Sequence, residues 1–561
     1  MSLPVGKGTP GRPSARAPAG SGLGRVTVLM AGGTLLSRLT GLVRLLVAAY
    51  ALGGNHLSDA FNLANNTPNM IHDLVLGGVL SATFVPQFVH RLATRPRHEA
   101  VESISAVVSL SCVVLLGATV AFLLLAPYVI DLYSIGTHGA HSVVSAAERQ
   151  VATDLLRLFA IQLTAYGAIS LMGAVLNTVR RFVLVAYVAV LNNIVAIAVL
   201  LEFAHVVAHH PSLAEVQHDH GALLLLGFGT SAGVLVQALA LFPAMMRSGL
   251  KLRFVWRPGD PAVKEILSLS GWTFGFVFAN QVAVFVVLAI AWGLGASRVT
   301  DYSYAYQFFQ LPYGIIAVSV MSTVVPELAH RYSTEELPEM VRQFGLGLRR
   351  MMAGILPSTA GYLLLAGPLV DLLLRHGAFG PSSSHETGQL LALLAVGLPG
   401  YCTYLLCISA LQAMRDTRTA FFLYLFENGV NIILAVVLSR QIGARGLALS
   451  LSVAYSLSAV GALVIVRRRM GGLGGRQVGR YVARSLALTL TMAAAVAVVT
   501  AAVASPSETG LALRVTAGVL AGIATYGAAA GVAGTVSDWQ TARRRRLHAR
   551  RGAHGYDPSR H

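Results

Sequence analysis

Two arginines interrupt the first long apolar stretch of the sequence. Arg38 and Arg44 are the only charged residues between positions 26 and 52, and Gly41 lies midway between them. A charge that faces lipid near the bilayer centre costs at least about 2.5 kcal/mol, so such side chains normally face protein or a water-filled cavity. A guanidinium can bind a phosphate through two parallel hydrogen bonds. The pair therefore predicts an anion-binding cavity, and an arginine that snorkels or pairs with a neighbouring helix is the alternative.

Two stripes of polar residues predict the walls of this cavity. Their members are spaced by three or four positions, which places each stripe on one helix face. The first stripe, with His72 beside it, consists of Asp59, Asn62, Asn66, Asn69 and Asp73. The second stripe consists of Thr300, Ser303, Gln307, Gln310 and Gly314. Pro68 is expected to break the first helix, and hydrogen bonds between helices are the alternative role for both stripes.

A third group has the chemistry of a cation site. Glu427 and Asn431 are four residues apart and share a helix face, and Asn280 lies in another apolar stretch. Carboxylate and amide oxygens suit hard cations, so we expect Na⁺ or H⁺ as a coupling ion and no other cofactor. A protonated or hydrogen-bonded glutamate is the alternative. The sequence has no metal-ligand spacing, Walker A pattern or catalytic carboxylate pair, which disfavours a metal site, ATP-driven transport and an enzyme.

The composition requires that these residues be positioned by membrane-spanning helices. Of the 561 residues, 55% are hydrophobic and 12% are charged, and the mean hydropathy is +0.65. Apolar stretches of about twenty residues, enough to cross about 30 Å of hydrocarbon, recur along the chain. We therefore predict an all-α membrane protein of about fourteen transmembrane helices. They are placed at 26–52, 59–92, 103–134, 152–178, 182–206, 221–246, 265–293, 299–329, 346–374, 386–413, 419–439, 446–466, 481–504 and 511–535.

The distribution of Lys and Arg predicts the orientation of these helices. With the N-terminus inside, the cytosolic loops and tails hold 33 basic residues, and the external loops with their helix ends hold seven. Cytosolic segments are normally the basic ones, so both termini are expected in the cytosol of an inner-membrane protein. Residues 1–24 read as a disordered basic tail, and 540–561 as a second basic tail. The net charge of +18 then indicates contact with anionic inner-leaflet lipids, and it does not require nucleic acid.

A short internal repeat predicts how the helices are grouped. The segment ATFVPQFVHR, residues 82–91, matches STVVPELAHR, residues 322–331. The offset of 240 residues spans six predicted helices. Because six is even, the two copies cross the membrane in the same direction. We expect two parallel six-helix lobes, 25–250 and 263–468, around a central polar cavity, and two further helices in 480–536.

Several of these motifs resemble the MurJ/MviN family of lipid II flippases. The similar segments are SRLTGLVR at 37–44, DAFNLANNTPN at 59–69, GGVLSATFVPQF at 77–88, GAVLNTVRRF at 173–182, LPYG at 311–314 and GPLVDLLLRHGAF at 367–379. The resemblance implies two six-helix lobes with two extra helices, and the flipping of a lipid-linked disaccharide-pentapeptide by alternating access. It also implies that Arg38 and Arg44 match the helix-1 arginines that bind the anionic head group.

The chain departs from the family at two further arginine positions. His72 aligns with the helix-2 arginine, and Tyr306 and Gln307 align with an Asp-Arg pair on helix 8. The cavity is therefore expected to be less cationic than is usual in the family. The resemblance implies as partners a lipid-linked cell-wall precursor and proteins of cell-wall synthesis or division. The predicted substrate-binding residues are Arg38, Arg44, Asp59, Asn66, Asn69, His72, Asp73, Gln307 and Gln310.

The expected function is transport of a polyprenyl-diphosphate-linked peptidoglycan precursor from the inner to the outer leaflet. Three alternatives remain open at this point: a flippase for another lipid-linked glycan, a cation-coupled drug or metabolite antiporter, and a scaffold for cell-wall synthesis that does not transport. An antiporter of cations is expected to rely on intramembrane acids, so Arg38 and Arg44 in the same cavity favour an anionic substrate.

Overall fold

The part of the chain that the structure describes is mostly helical and contains no β-strand. The computed structural model describes residues 21–77, 84–135, 144–179, 181–207, 211–473, 475–503, 508–532 and 534. The helices of the first half are α1 (Ser21–Leu52), α2 (His56–His72), α3 (Val85–Thr94), α4 (Arg97–Tyr133), α5 (Ala146–Thr178), α6 (Phe182–Val206), α7 (Leu213–His218) and α8 (His220–Met246). Those of the second half are α9 (Pro261–Gly293), α10 (Arg298–Pro312), α11 (Val318–Ser333), α12 (Leu337–Leu374), α13 (Pro381–Val396), α14 (Leu398–Ala413), α15 (Thr417–Ile442), α16 (Ala444–Met470), α17 (Gly475–Ala502) and α18 (Glu508–Val532).

The prediction of an all-α membrane protein is confirmed. Among the described residues, twelve helical segments are long and apolar enough to cross a bilayer, and α13 with α14, bent by 47°, forms a thirteenth. The remaining predicted span, 59–92, coincides with α2 and α3, and its residues 78–83 lie outside the described part. The two predicted tails, 1–24 and 540–561, lie almost entirely or entirely outside it as well.

The helices that position the polar residues begin at ordinary N-terminal caps. Asn55 and Ser58 form a reciprocal capping box, in which each side chain accepts a hydrogen bond from the other residue's backbone N–H at 3.0 Å. This cap fixes Asp59 in the first turn of α2. The Ser145 hydroxyl accepts a hydrogen bond from the Glu148 backbone N–H at 3.1 Å, which fixes Glu148 in the first turn of α5.

Two π-helical turns give structural support to the internal repeat. One covers Asp73–Gly77 after α2, and the other covers Tyr313–Ala317 after α10. Each residue of the second turn is 240 positions after its counterpart in the first, the offset found in the sequence. The expected break at Pro68 was misplaced, because α2 continues through this proline to His72. The helix instead widens at Asp73, and π-turns of this kind are frequent at functional sites.

Helix contacts fall mainly into two groups. In the first group, α6 packs against α1 and α8, and α5 packs against α2, α4 and α8. In the second, α16 packs against α14 and α15, and α12 packs against α11 and α13. The pair α17 and α18 pack on each other and on α12. This pattern is what the predicted units 25–250, 263–468 and 480–536 would produce, and the division into lobes stays a prediction.

Contacts between the two groups are fewer, and they surround a space in the middle of the bundle. The main ones join α4 to α9 and α2 to α10, with smaller contacts between α1 and α12. The polar residues predicted from the sequence lie on the helices that meet here.

Candidate functional site

A polar cavity of about 400 Å³ lies where the two groups of helices meet. Its wall is built from α1, α2, α9, α10, α15 and α16, so each half of the chain contributes several helices. Next to it lies an aromatic chamber of about 390 Å³, which shares Asp73, Asn280 and Glu427 with the cavity. We call the first space the central cavity and the second the aromatic chamber. Cavities of this size are typical of small-molecule binding sites.

Eight of the twelve residues predicted for substrate or cation binding line the central cavity. They are Arg44, Asn66, Asn69, Asp73, Asn280, Gln307, Glu427 and Asn431. The two predicted polar stripes therefore both reach this space, although they lie more than 200 positions apart in the chain. The other four predicted residues, Arg38, Asp59, His72 and Gln310, lie outside its lining.

Arg44 supplies the positive charge of the central cavity. It has neither a hydrogen bond nor an ion pair with any residue that the structure describes, although Asp73 lines the same space. The competing explanation from the sequence, a structural ion pair of Arg44 with Asp59 or Asp73, is therefore not realised here. A half-buried guanidinium without a protein partner is suited to an anionic ligand, because it keeps all its donors available.

Arg38 points to a different neighbour. Its guanidinium lies against Gly314 in the second π-helical turn, where an added Cβ would come within 2.1 Å of Nη1. A side chain at position 314 would therefore displace Arg38. The sequence indicated that the two arginines diverge by about 120° around the helix. In the structure Arg44 reaches the central cavity and Arg38 reaches the π-turn beside α10.

His72 and Gln310 do not line the central cavity, but each bonds to a residue that does. Nε2 of His72 lies 3.0 Å from the Ser170 hydroxyl, and Nδ1 lies 3.3 Å from a carboxylate oxygen of Asp73. Gln310 donates to the hydroxyl of Tyr306 at 2.7 Å. Both residues contact a side chain that lines the cavity, so their position is one step removed from the space itself.

Asp59 lies at one end of the bundle, where it joins the two halves. Its buried carboxylate accepts hydrogen bonds from the backbone N–H and the hydroxyl of Thr300, at 2.9 and 2.7 Å. Asn62 donates to the same hydroxyl at 3.1 Å. Thr300 lies in the first turn of α10, so Asp59 acts at this helix N-terminus, where a negative charge is favourable.

Further contacts close the same end of the bundle. The backbone N–H of Ala378 donates to the Tyr50 carbonyl at 2.9 Å, and the hydroxyls of Ser297 and Ser383 lie 2.7 Å apart. Gly54 fits tightly between these serines, because a Cβ there would come within 2.1 Å of the Ser383 hydroxyl. We call the contacts of residues 50–62 with residues 297–300 and 378–383 the end seal.

Glu148 is a residue of this region that sequence analysis missed. Its buried carboxylate accepts a hydrogen bond from Trp292 Nε1 at 2.6 Å and lies 2.8 Å from Nδ1 of His56. Trp292 belongs to α9, so Glu148 links the two halves beside the end seal. The sequence does show a glutamate three residues after a serine at the start of a long apolar helix. This spacing indicates a helix cap, but it does not identify the distant tryptophan as a partner.

This contact should make stability depend on pH. His56 lies between the first two predicted spans, and its hydrogen bond with Glu148 raises its pKa above 6.5. A raised pKa stabilises the folded chain fully below the unfolded value of 6.5, and this gain is lost as the pH rises through the folded value. Melting temperatures of the native chain and His56→Gln should therefore differ most below about pH 6 and converge at alkaline pH.

A matched histidine controls for the loss of the ring itself. His218 is exposed, and among the described residues it bonds only to the Ala214 carbonyl in its own helix. The change His218→Gln should leave the melting temperature nearly unaltered at every pH. A difference for His56→Gln that is constant or grows with pH would contradict the assigned contact.

The opposite end of the bundle also carries contacts between the halves. Arg91 on α3 is buried and lies 2.9 Å from the Glu265 carboxylate on α9. Gln87 donates to the other oxygen of the same carboxylate at 2.9 Å. The central cavity thus lies between two sets of side-chain contacts. Side-chain contacts of this kind can exchange partners when two halves move relative to each other.

Comparisons with known proteins agree with the resemblance found in the sequence. The family described as Lipid II flippase MurJ matches residues 48–517. A probable lipid II flippase MurJ of Rhizobium meliloti (strain 1021) is 28% identical over 420 residues, which cover 74% of this chain and 75% of that protein. A lipid II flippase MurJ of Burkholderia cenocepacia is 25% identical over 461 residues, covering 79% of this chain and 84% of that protein.

Solved structures with the same fold include transporters of two kinds. A structure described as lipid II flippase MurJ in an inward closed conformation has a TM-score of 0.71 and 21% identity, and the match covers 89% of this chain and 98% of that one. A multidrug resistance MATE family transporter of the MOP superfamily, in an inward-facing conformation, has a TM-score of 0.64 and 13% identity, covering 80% and 99%. Since the family match spans residues 48–517 of 561, the chain belongs to the lipid II flippase MurJ family.

Proposed function

We infer that this chain flips lipid II, a lipid-linked peptidoglycan precursor, from the inner to the outer leaflet of the membrane. The observation that carries this inference is the Arg44 guanidinium, which has no partner among the described residues and lies in a polar cavity between the two halves of the chain. The name of the family, and those of the relatives reported above, point to the same substrate. The protein is accordingly a multi-pass inner-membrane transporter.

The cavity lowers the barrier to head-group transfer by replacing water. A diphosphate and a sugar peptide cannot cross hydrocarbon at an acceptable cost, because each unsatisfied polar group costs several kcal/mol there. Arg44 offers charge-assisted hydrogen bonds to the diphosphate, and Asn66, Asn69 and Gln307 offer neutral ones to the sugars. The apolar tail can stay in the bilayer while the head group passes through this space.

Alternating access follows from the two sets of contacts that flank the cavity. In this proposal the end seal opens to release the head group outward, and the Arg91–Glu265 contact opens to admit it from the other side. Both sets consist of hydrogen bonds and close side-chain contacts, which can be exchanged for contacts with water at small net cost. The alternative functions, an antiporter or a scaffold, have no comparable support, because neither requires an arginine in a polar space between the two halves of the chain.

Depletion of the protein tests the proposed function in the cell. If the chain flips lipid II, its depletion should cause lipid II to accumulate in the inner leaflet while synthesis continues. To measure this, cells are treated with an external enzyme that modifies lipid II, and the lipid intermediates are then extracted. The modified and the protected fractions are quantified separately. Accumulation of a different polyprenyl-linked glycan would identify a paralogue with another substrate. Unchanged pools of all such lipids would contradict a transport function.

The proposed orientation has its own test. We propose that both termini are cytosolic and that the loop around residues 205–220 is external, because the basic residues are so unevenly distributed. In intact cells, an impermeant maleimide should label a cysteine at Ala214, which is exposed, and should not label one at Arg545. The chain for this experiment should lack Cys112, the one natural cysteine that is exposed. The reverse labelling pattern would contradict the orientation.

A further inference from the structure

The wall of the central cavity that Arg44 lines also carries a buried carboxyl group with no hydrogen-bond partner among the described residues. The side chain of Glu427, on α15, is nearly inaccessible, and it has no hydrogen bond or ion pair with any described residue. It lines both the central cavity and the aromatic chamber. A carboxylate desolvated to this extent is costly to keep unpaired, so its site favours a positively charged ligand.

The surroundings of Glu427 are unusually rich in tyrosine. Five tyrosines on α10, α14, α15 and α16 line the aromatic chamber: Tyr306, Tyr401, Tyr404, Tyr424 and Tyr455. They are close neighbours, with ring centroids 4.5 Å apart for Tyr401 and Tyr455 and 5.7 Å apart for Tyr404 and Tyr424. The buried hydroxyl of Tyr404 has no hydrogen-bond partner in the described part of the chain, so it remains available to a ligand.

The carboxyl group and the tyrosines together favour an organic ammonium group over a metal ion. Aromatic faces attract an ammonium group electrostatically through the ring quadrupole, and a carboxylate beside them can accept hydrogen bonds from its N–H groups. A bare metal ion needs several oxygen ligands at short range, and Asn431 already accepts a hydrogen bond from the Ser450 hydroxyl at 3.0 Å. The chamber of about 390 Å³ is also far larger than the roughly 30 Å³ that one water molecule occupies.

We propose that the Glu427 chamber binds a primary ammonium group on the peptide of the substrate, while Arg44 binds the diphosphate. The central cavity then has a cationic pole on α1 and an anionic, aromatic pole on α15, and the two ends of the head group determine its orientation between them. This rests on the proposed function and makes it more specific, since it names the part of lipid II that the second half of the chain recognises. The sequence had predicted a coupling cation, Na⁺ or H⁺, at this glutamate.

The test compares two forms of the same lipid. Lipid II with a free side-chain amine in its peptide, and lipid II with that amine acetylated, are bound to the purified full-length chain in nanodiscs of phosphatidylglycerol, which has no amine. Acetylation should weaken binding to the native chain about tenfold. In Glu427→Gln the free-amine lipid should bind about tenfold more weakly, and acetylation should have no additional effect.

Four variants separate this proposal from its alternatives. Tyr404→Leu should reduce the preference for the free amine, whereas Tyr404→Phe, which keeps the ring and removes only an unpartnered hydroxyl, should retain it. The exposed carboxylate of Glu202 provides a matched control, and Glu202→Gln should keep the full tenfold preference. Arg44→Ala should weaken both lipids by the same factor and leave the preference intact.

The outcomes that overturn the proposal are distinct from failure of the proposed function. Equal binding of the two lipids by the native chain would overturn it, as would a preference that survives in Glu427→Gln. If Na⁺ strengthens binding of both lipids equally, and Glu427→Gln abolishes that effect, the site binds an inorganic cation. Failure of the native chain to bind either lipid would instead refute lipid II as the substrate.

Discussion

Replacing Arg44 with alanine should reduce lipid II flipping by about 100-fold while the protein remains at normal abundance in the membrane. Loss of a charge-assisted contact that is made in a desolvated site typically costs about 2–5 kcal/mol, and each 1.4 kcal/mol is about a factor of ten. Because Arg44 has no partner among the described residues, its removal leaves no protein group unpaired. Flipping in proteoliposomes and a quantitative blot of membranes measure the two quantities.

Two further variants make this result specific. Arg44→Lys should recover activity only in part, because lysine keeps the charge and loses the bidentate geometry. Arg375→Ala removes an exposed arginine at the end of α12 and should be close to native. Reduced abundance of Arg44→Ala, restored by a second change Asp73→Ala, would indicate a structural ion pair instead. An abundant and fully active Arg44→Ala protein would contradict the anion site.

Enlarging Gly54 should reduce flipping by preventing closure of the end seal. A Cβ at this position would come within 2.1 Å of the Ser383 hydroxyl and within 2.6 Å of the Ser297 hydroxyl, which is closer than atoms can pack. Overpacking typically costs about 1–3 kcal/mol, so Gly54→Val should lower the population of the closed state by roughly ten- to a hundredfold. Transport that requires this state should fall by a similar factor.

The loss of flipping should depend on where the larger side chain is introduced, and not on the replacement of a glycine as such. Gly117 on α4 has no atom within 4 Å of an added Cβ, so Gly117→Val provides the matched control and should keep most of the activity. With the seal held open, a cysteine at Gln307 should react faster with an external thiol reagent in Gly54→Val than in the control. Equal reaction rates together with equal flipping would mean that the end seal does not gate the cavity.

The sequence predicted the helices and most of the cavity wall because their signals are local. Apolar stretches of about twenty residues and polar stripes with a spacing of three or four depend on nearest neighbours along one helix. For this reason Asn66, Asn69 and Gln307 were assigned to the cavity from spacing alone, and they line it in the structure. The repeat offset of 240 residues likewise predicted the equivalence that the two π-helical turns display.

Helix periodicity indicates on which face of a helix a residue lies, but not at which level of the bundle the residue makes its contacts. Asp59 shares a face with Asn66, yet it lies about two helical turns away and contacts Thr300 in the end seal. The same limitation applies to Gln310, which lies outside the cavity lining and bonds to Tyr306. Both residues were predicted to bind substrate because each polar stripe is longer than the part of the helix that lines the cavity.

Contacts between helices that are far apart in the chain were the hardest to predict from the sequence. Glu148 and Trp292 lie on different halves of the chain, and nothing in the local pattern of either predicts their hydrogen bond at 2.6 Å. The aromatic chamber is similar, because its tyrosines come from four helices that meet only in the folded protein. Glu427 was identified as a candidate cation site, but the tyrosines that favour an organic cation were not.

Reconstitution of the purified chain into liposomes tests the central claim most directly. Fluorescent lipid II is incorporated into proteoliposomes, and the fraction that an impermeant reagent can modify is followed with time. We expect the native chain to exchange lipid II between leaflets, Arg44→Ala to do so about 100-fold more slowly, and Arg375→Ala to resemble the native chain. Exchange by the native chain at the rate of protein-free liposomes would contradict lipid II transport by this chain.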